Sequence, residues 1–191
     1  MKQRDVVTDA RAMRALAHPV RVALLEAVRR DGEITATRAA ELLDESPGNM
    51  SWHLQTLAKY GFVEETGEGR GRSRPWRVTS ASRRFEADDE QPETEIAGEA
   101  LALTFLDRAV AQAREWLSRR LTYPAKWRRA AIMTDSVKYL TAEELAAVME
   151  EIIAIQDRYA DRDDKANRPA DALPVHLYAH GHPLPPTPAG N

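Results

Sequence analysis

Apolar residues recur in short helical stripes along the first 80 positions. Met13, Leu16 and Ala17 mark one side of a helix from Thr8 to Ala17, which His18-Pro19 breaks. Pro19 opens a second helix, Val20 to Arg30, with Val20, Leu24 and Val28 on one stripe and Leu25 beside it. Asp31-Gly32 ends that helix. Ile34 is expected to form a one- or two-residue strand that pairs with a later hairpin. Thr35 or Thr37 caps a third helix through Leu43, whose core face is Ala39, Ala40, Leu42 and Leu43. After the turn Asp44-Glu45, Ser46 caps a fourth helix and Pro47 takes its first position, where a missing N–H costs nothing. Met50, Leu54 and Leu57 follow at i, i+4 and i+7 as its buried stripe, and Tyr60-Gly61 stops it. Phe62 to Thr66 reads as a strand and Pro75 to Thr79 as its return.

The second half has a different pattern. Residues 83–97, acidic from Glu86 onward and holding Pro92, read as a linker. A long helix begins as early as Thr94 and runs to Arg120 or just beyond. Leu103, Leu106, Val110, Ala113, Leu117 and Leu121 form its stripe, with Leu101, Phe105, Ala109 and Trp116 beside them. A stripe this wide buries two neighbours, and the economical second neighbour is the same helix of another copy. Near-alternation over Lys126 to Tyr139 predicts a strand in part of that stretch. Thr141 and Glu144 form a capping box for a helix carrying Leu145, Val148, Met149, Ile152, Ile155 and Tyr159. Asp161 to Ala172 reads as a loop. Pro174 to Ala179 is β-like and a candidate partner for the earlier strand. The resulting class is α+β, mainly α. Its organisation is an N-terminal domain over 1–82, the linker, a C-terminal dimerisation or effector domain over 98–180, and a Pro-rich tail over 181–191 expected to be disordered.

Candidate chemistry lies on the fourth helix and the hairpin. Opposite the Met50 stripe, helix 46–60 carries Ser46, Gly48, Asn49, Ser51, Trp52, Gln55 and Lys59. Small residues lead, and amides and hydroxyls that meet base edges follow, as a helix entering a DNA major groove requires. The hairpin loop, wing 66–77, interleaves Gly67, Gly69 and Gly71 with Arg70, Arg72 and Arg74. Glycine lets a loop run close to a polyanion, and arginine neutralises phosphate or enters a minor groove. A polar reading helix followed by a basic β-wing is a winged helix-turn-helix, with double-stranded DNA as the expected partner. Two positions stay open. Trp52 either stacks on a sugar or thymine methyl or packs on its own domain. His53 either bonds a phosphate or fills a slot beside Leu57.

Over residues 10–79 the chain resembles the ArsR-type family of winged-helix repressors. The matching pieces are His18-Pro19-Val20-Arg21, the Thr35/Thr37 to Ala40-Glu41-Leu42 helix, the Ser46-Pro47 to Ser51-x-His53-Leu54-x-x-Leu57 helix, and the Gly61-Phe62-Val63 exit. The resemblance implies a homodimer that represses transcription and releases DNA on an inducing signal. It also implies base- or phosphate-facing roles for Asn49, Ser51, Trp52, His53 and Gln55. Metal-sensing members carry a cysteine pair in the third helix, where this chain has Glu41-Leu42-Leu43-Asp44, or histidines on a fifth helix, where this chain has none. Asp44 stands where the family often has glycine.

Composition narrows the remaining classes. Among 191 residues there is no cysteine, so neither a disulfide framework nor a thiolate metal site is expected. The net charge of −3 conceals an asymmetry: residues 1–85 hold 15 Lys+Arg and 11 Asp+Glu, net +4, and residues 86–191 hold 12 and 19, net −7. The basic half suits a polyanion, and the acidic half should face away from it. Neither a signal peptide nor a run of about 18 apolar residues is evident, so a cytoplasmic protein without a membrane partner is expected. His176, His180 and His182 cluster in a stretch whose proline and glycine oppose a helix, so no metal is expected. No phosphate loop or nucleophile–base pair suggests an enzyme, so no catalytic residue and no cofactor is expected. Phe105, Trp116, Trp127 and Met133 are candidate lining residues for a small-molecule effector. The competing reading is a winged-helix protein-interaction module that does not touch DNA.

Overall fold

A computed structural model describes residues 5–67, 74–79, 83–86 and 91–185. Four helices and a hairpin build the first half: α1 (Ala10–Leu16), α2 (Pro19–Asp31), α3 (Ala36–Leu43), α4 (Pro47–Lys59), β2 (Val63–Glu65) and β3 (Trp76–Val78). Each helix start has a local cause. Asp9, Thr35 and Ser46 accept backbone N–H groups of α1, α3 and α4, and Pro19 and Pro47 occupy first-turn positions. β2 and β3 pair antiparallel, with Val63 opposite Val78 and Glu65 opposite Trp76. Ile34 adds the expected one-residue bridge: its N–H donates to Trp76 O at 3.0 Å, and Trp76 N–H donates to Ile34 O at 2.9 Å.

The α3–α4 turn places Asp44 in the left-handed region, φ 53°. Aspartate tolerates this conformation better than most side chains, because its short polar group bonds locally. The turn therefore forms without the glycine that its geometry favours. The Glu45 N–H donates to Ala40 O at 3.0 Å and closes it.

Two features depart from the periodicity. Asp5–Val7 forms a strand, β1, which pairs in parallel with β4 (Arg83–Phe85), Asp5 opposite Arg83 and Val7 opposite Phe85. Three residues are too short a run to show alternation, so neither strand was legible. The stretch read as a linker also belongs to the fold. Its first residues are β4, and α5 (Pro92–Arg119) starts at Pro92, with Thr94 and Ala97 buried. Pro92 marks a helix start rather than an interruption.

α5 packs its first half on the N-terminal domain. Ala97 and Leu101 join the core formed by Met13, Leu16, Leu24, Val28, Met50, Leu54, Leu57 and Phe62, and Phe105 leans on it from outside. Gly98 passes Met13 Sδ closely enough that an added Cβ would sit 3.9 Å away. Farther along, Glu26 of α2 accepts from Arg108 Nε at 2.7 Å and from Gln112 Nε2 at 2.9 Å.

Beyond Ala109 no described residue is buried. α6 (Ala125–Ala130) and α7 (Ala142–Asp157) follow, α7 opening on the expected Thr141–Glu144 capping box. The strands expected within 126–139 and 174–179 do not form. Residues 126–130 are helical, and 131–141 and 174–185 have no regular structure. Alternation without a buried face to dock on gives a strand no partner. The second half is thus largely helical, and the α+β, mainly α class rests on the N-terminal strands. The last six residues of the expected disordered tail, 186–191, lie outside the described residues. The segment after α7 reaches back to the first domain: the Arg168 guanidinium donates to Arg30 O at 3.3 Å and to Arg162 O at 2.7 Å.

Leu54→Ala should lower the free energy of unfolding by about 2–5 kcal/mol, because the side chain is fully enclosed. Met133→Ala should change it by no more than about 0.5 kcal/mol. Urea titration followed by circular dichroism measures both.

Candidate nucleic-acid interface

The outward face of α4 is set by what the helix buries. Met50, Leu54 and Leu57 are fully enclosed, so the opposite side turns Gly48, Trp52, Gln55 and Lys59 to solvent. Gly48 has nothing within 4 Å of where a Cβ would stand, so the first turn is open. Trp52 is 56 % exposed. Of its two readings, packing within its own domain is thereby reduced to an edge-on contact with the His53 ring, 4.8 Å between centroids. Ser51 flanks the face, half-buried. Ser46 Oγ accepts the Asn49 N–H at 3.1 Å, and the Glu45 carboxylate accepts from Asn49 Nδ2 at 2.8 Å. Asn49 is therefore pre-oriented, and it must exchange Glu45 for any other partner.

His53 does not belong to this face. It is 3 % exposed and sits 5.0 Å from the His18 ring, centroid to centroid. Four residues after Asn49 and three after Met50, it falls at the edge of the buried stripe, so the slot beside the core prevails over phosphate contact. His18 Nδ1 and His53 Nδ1 are both buried with no hydrogen-bond partner. Desolvation holds both imidazoles below their ordinary pKa. Arg21 adds to this at His18, and His18 and Arg21 add to it at His53, against a smaller raising effect of Glu45.

The described base of the wing carries two arginines. Arg74 Nη1 bonds Glu65 at 2.9 Å and Arg77 Nε bonds Glu64 at 2.8 Å, both pairs exposed. Exposed pairs of this kind contribute about 0–1 kcal/mol, so phosphate can displace the glutamates. Arg70 and Arg72 lie outside the described residues. Arg83 ties the hairpin base together, donating to Gly61 O and to Thr79 Oγ1, with its guanidinium 4.7 Å above the Phe62 ring.

Along the Thr56–Tyr60 edge of α4 lies a feature that the periodicity did not single out. A shallow depression is lined by Arg11, Arg14, Ala15, Arg21, Thr56 and Tyr60. The available signal was Arg11 and Arg14 at i, i+3 on the polar side of α1.

Among the described residues no ring contact joins Phe105, Trp116 and Trp127, three of the four residues expected around an effector. Phe105 packs against the Phe85 ring, 6.0 Å between centroids, beside the N-terminal core. Trp116 meets Tyr123 at 5.0 Å, and Trp127 is half-buried on α6. Met133 is 91 % exposed. Large apolar side chains signal a packing requirement without saying which surface meets it. Among the described residues there is no cluster of metal-ligating side chains and no helix long and apolar enough to cross a membrane.

Residues 16–66 match the family model of a helix-turn-helix domain. No curated protein matches the chain. Among solved structures, Lactococcus lactis ZitR, a C30AH42A mutant in apo form, is similar at 14 % identity, covering 75 % of this chain and 83 % of that one. Its TM-score of 0.31 is too low to carry any argument. The matched residues run from the end of α1 through β2, and with β3 they make an N-terminal winged helix-turn-helix domain. This is the architecture of a DNA-binding regulatory protein.

Because burial lowers both histidine pKa values below the ordinary 6.5, the unfolded chain binds more protons than the folded one as pH falls below that value. Stability should hold above pH 6.5 and decline as pH drops through the folded-state pKa values. His53→Gln should flatten this decline, as read from urea midpoints between pH 7.5 and 5.

Proposed function

We propose that the chain is a dimeric transcriptional repressor of ArsR-like type that reads a pseudo-palindromic operator. Helix 46–60 enters the major groove and wing 66–77 reaches the flanking backbone. The observation that carries this reading is the outward line of Gly48, Trp52, Gln55 and Lys59 on a helix whose rotation is fixed by three enclosed side chains. Gln55 and Asn49 supply amides for base edges. Ser46, Ser51 and Lys59 contact the backbone, and Trp52 covers a sugar or thymine methyl. Arg70, Arg72 and Arg74 act on phosphate or in the minor groove. Such a role places the protein in the cytoplasm with the genome.

Dimerisation rests on α5. Leu103, Leu106, Val110, Leu117 and Leu121 remain exposed along one side, spaced 3, 4, 7 and 4, while Leu101 and Ala109 are buried on the other. An apolar seam of that period suits a second α5. Two recognition helices would then meet half-sites about 34 to 36 Å apart. Occupying a promoter in this way blocks transcription. Release by a small ligand in the C-terminal part completes the proposal. With Phe105, Trp116, Trp127 and Met133 apart in one chain, the site requires a rearrangement or the partner copy to close it.

Gln55→Ala should relax the choice of base at one operator position, whereas Arg72→Ala should weaken all sequences alike and flatten the salt slope by about one unit. Fluorescence anisotropy on operator and scrambled duplexes separates the two. A protein-interaction module would show no steep salt dependence on any duplex.

Leu106→Glu with Val110→Glu should turn the dimer into a monomer in sedimentation velocity and leave the circular dichroism of the winged domain unchanged. An unaltered sedimentation coefficient would place the dimer interface elsewhere.

A further inference from the structure

Three arginines from two helices meet beside the recognition helix. Arg11 and Arg14 stand one turn apart on α1 and are exposed, and Arg21 projects from the first turn of α2. Thr56 of α4 and Tyr60 at its C-terminal cap complete the depression, whose volume is about 250 Å³. Lys59 adds a further cation beside Tyr60, its Nζ 5.5 Å from the Tyr60 ring centroid. The acid that meets this group is Glu93, bonded to Arg14 Nη2 at 3.3 Å across an exposed surface. Arg21 Nε is buried and has no hydrogen-bond partner. A buried guanidinium N–H without an acceptor is costly, and an anion oxygen is the partner that removes the cost.

The position of the depression decides which anion. Thr56 and Tyr60 follow the edge of α4 beside Trp52 and Lys59, one and two turns past Trp52. A duplex seated on the Gly48–Lys59 face brings one of its strands along that edge. We infer that Arg11, Arg14 and Arg21, with Tyr60, form a clamp for a DNA backbone phosphodiester next to the major groove read by α4. This inference rests on the DNA-binding reading and extends it to a second backbone contact, independent of the wing. The clamp then fixes how the reading helix lies on the duplex, without adding base preference.

The test is anisotropy of the full chain with an operator duplex and a scrambled duplex, across a series of salt concentrations. The variant Arg11→Ala/Arg14→Ala should lose roughly tenfold or more in affinity for both duplexes, with the salt slope flattened by about two units. Arg11→Lys/Arg14→Lys should retain the slope, which separates loss of charge from loss of fold, and thermal melts of each variant monitor folding. An unchanged slope and affinity in the alanine variant, with wild type binding DNA, overturns the clamp and leaves the reading of α4 intact. Wild type that binds neither duplex overturns both. Inorganic phosphate supplies the last arm. If it stabilises wild type but not the alanine variant, while DNA binding is the same in both, the depression holds a small anion and not the duplex.

Discussion

The orientation of one helix about its own axis controls the rest of the first domain. Met50, Leu54 and Leu57 fill the space bounded by Met13, Leu16, Leu24 and Phe62, and no other rotation of α4 encloses all three. Turning the helix by one residue, about 100°, would expose a leucine and bury an amide or an ammonium. The hydrophobic effect therefore acts on the interface indirectly. It secures the buried side, and the solvent side follows from the 3.6-residue repeat. Ser46 and Asp44 refine the same result by fixing where the helix starts and how the chain enters it.

α5 shows how a pattern wider than one face is resolved. Its buried line runs through Thr94, Ala97, Leu101 and Ala109, and ends at the Glu26–Arg108–Gln112 hydrogen bonds. The second line has no cover within the chain. Below α5 no described residue is buried, so the C-terminal half does not assemble a core of its own. Burial of apolar surface is the principal favourable term in folding. A half that lacks it draws its order from the helix it hangs on, from Arg168 at the end of α2, and from the ion pair of Arg84 with Glu150.

Most of the N-terminal domain was legible in the residues because its helices carry caps, prolines and three-residue apolar stripes that agree with one another. The cap at Ser46 and the hairpin from Val63 to Val78 are local in origin, and the bridge at Ile34 was anticipated although its partner Trp76 is distant in the chain. What escaped is non-local or borderline. β1 and β4 have three residues each and are defined only by pairing with each other. His53 stands at the edge of a helical face, where a one-position difference in rotation separates solvent from core. Alternation over Lys126 to Tyr139 imitated a strand, although none of these residues pairs in a sheet. Arg11 and Arg14 belong to no motif, Arg21 reads only as part of a helix start, and the packing of α1 and α2 beside α4 brings the three together.

The parallel pairing of β1 with β4 also bears on how the protein is made. Its two strands lie about 80 residues apart, and every helix of the winged domain falls between them. On a ribosome the helical part can condense as it emerges, but the clasp at its base has to wait for Phe85. The strand translated earlier is thus fastened late, and a fusion placed ahead of Asp5 would bear on the maturation of the domain.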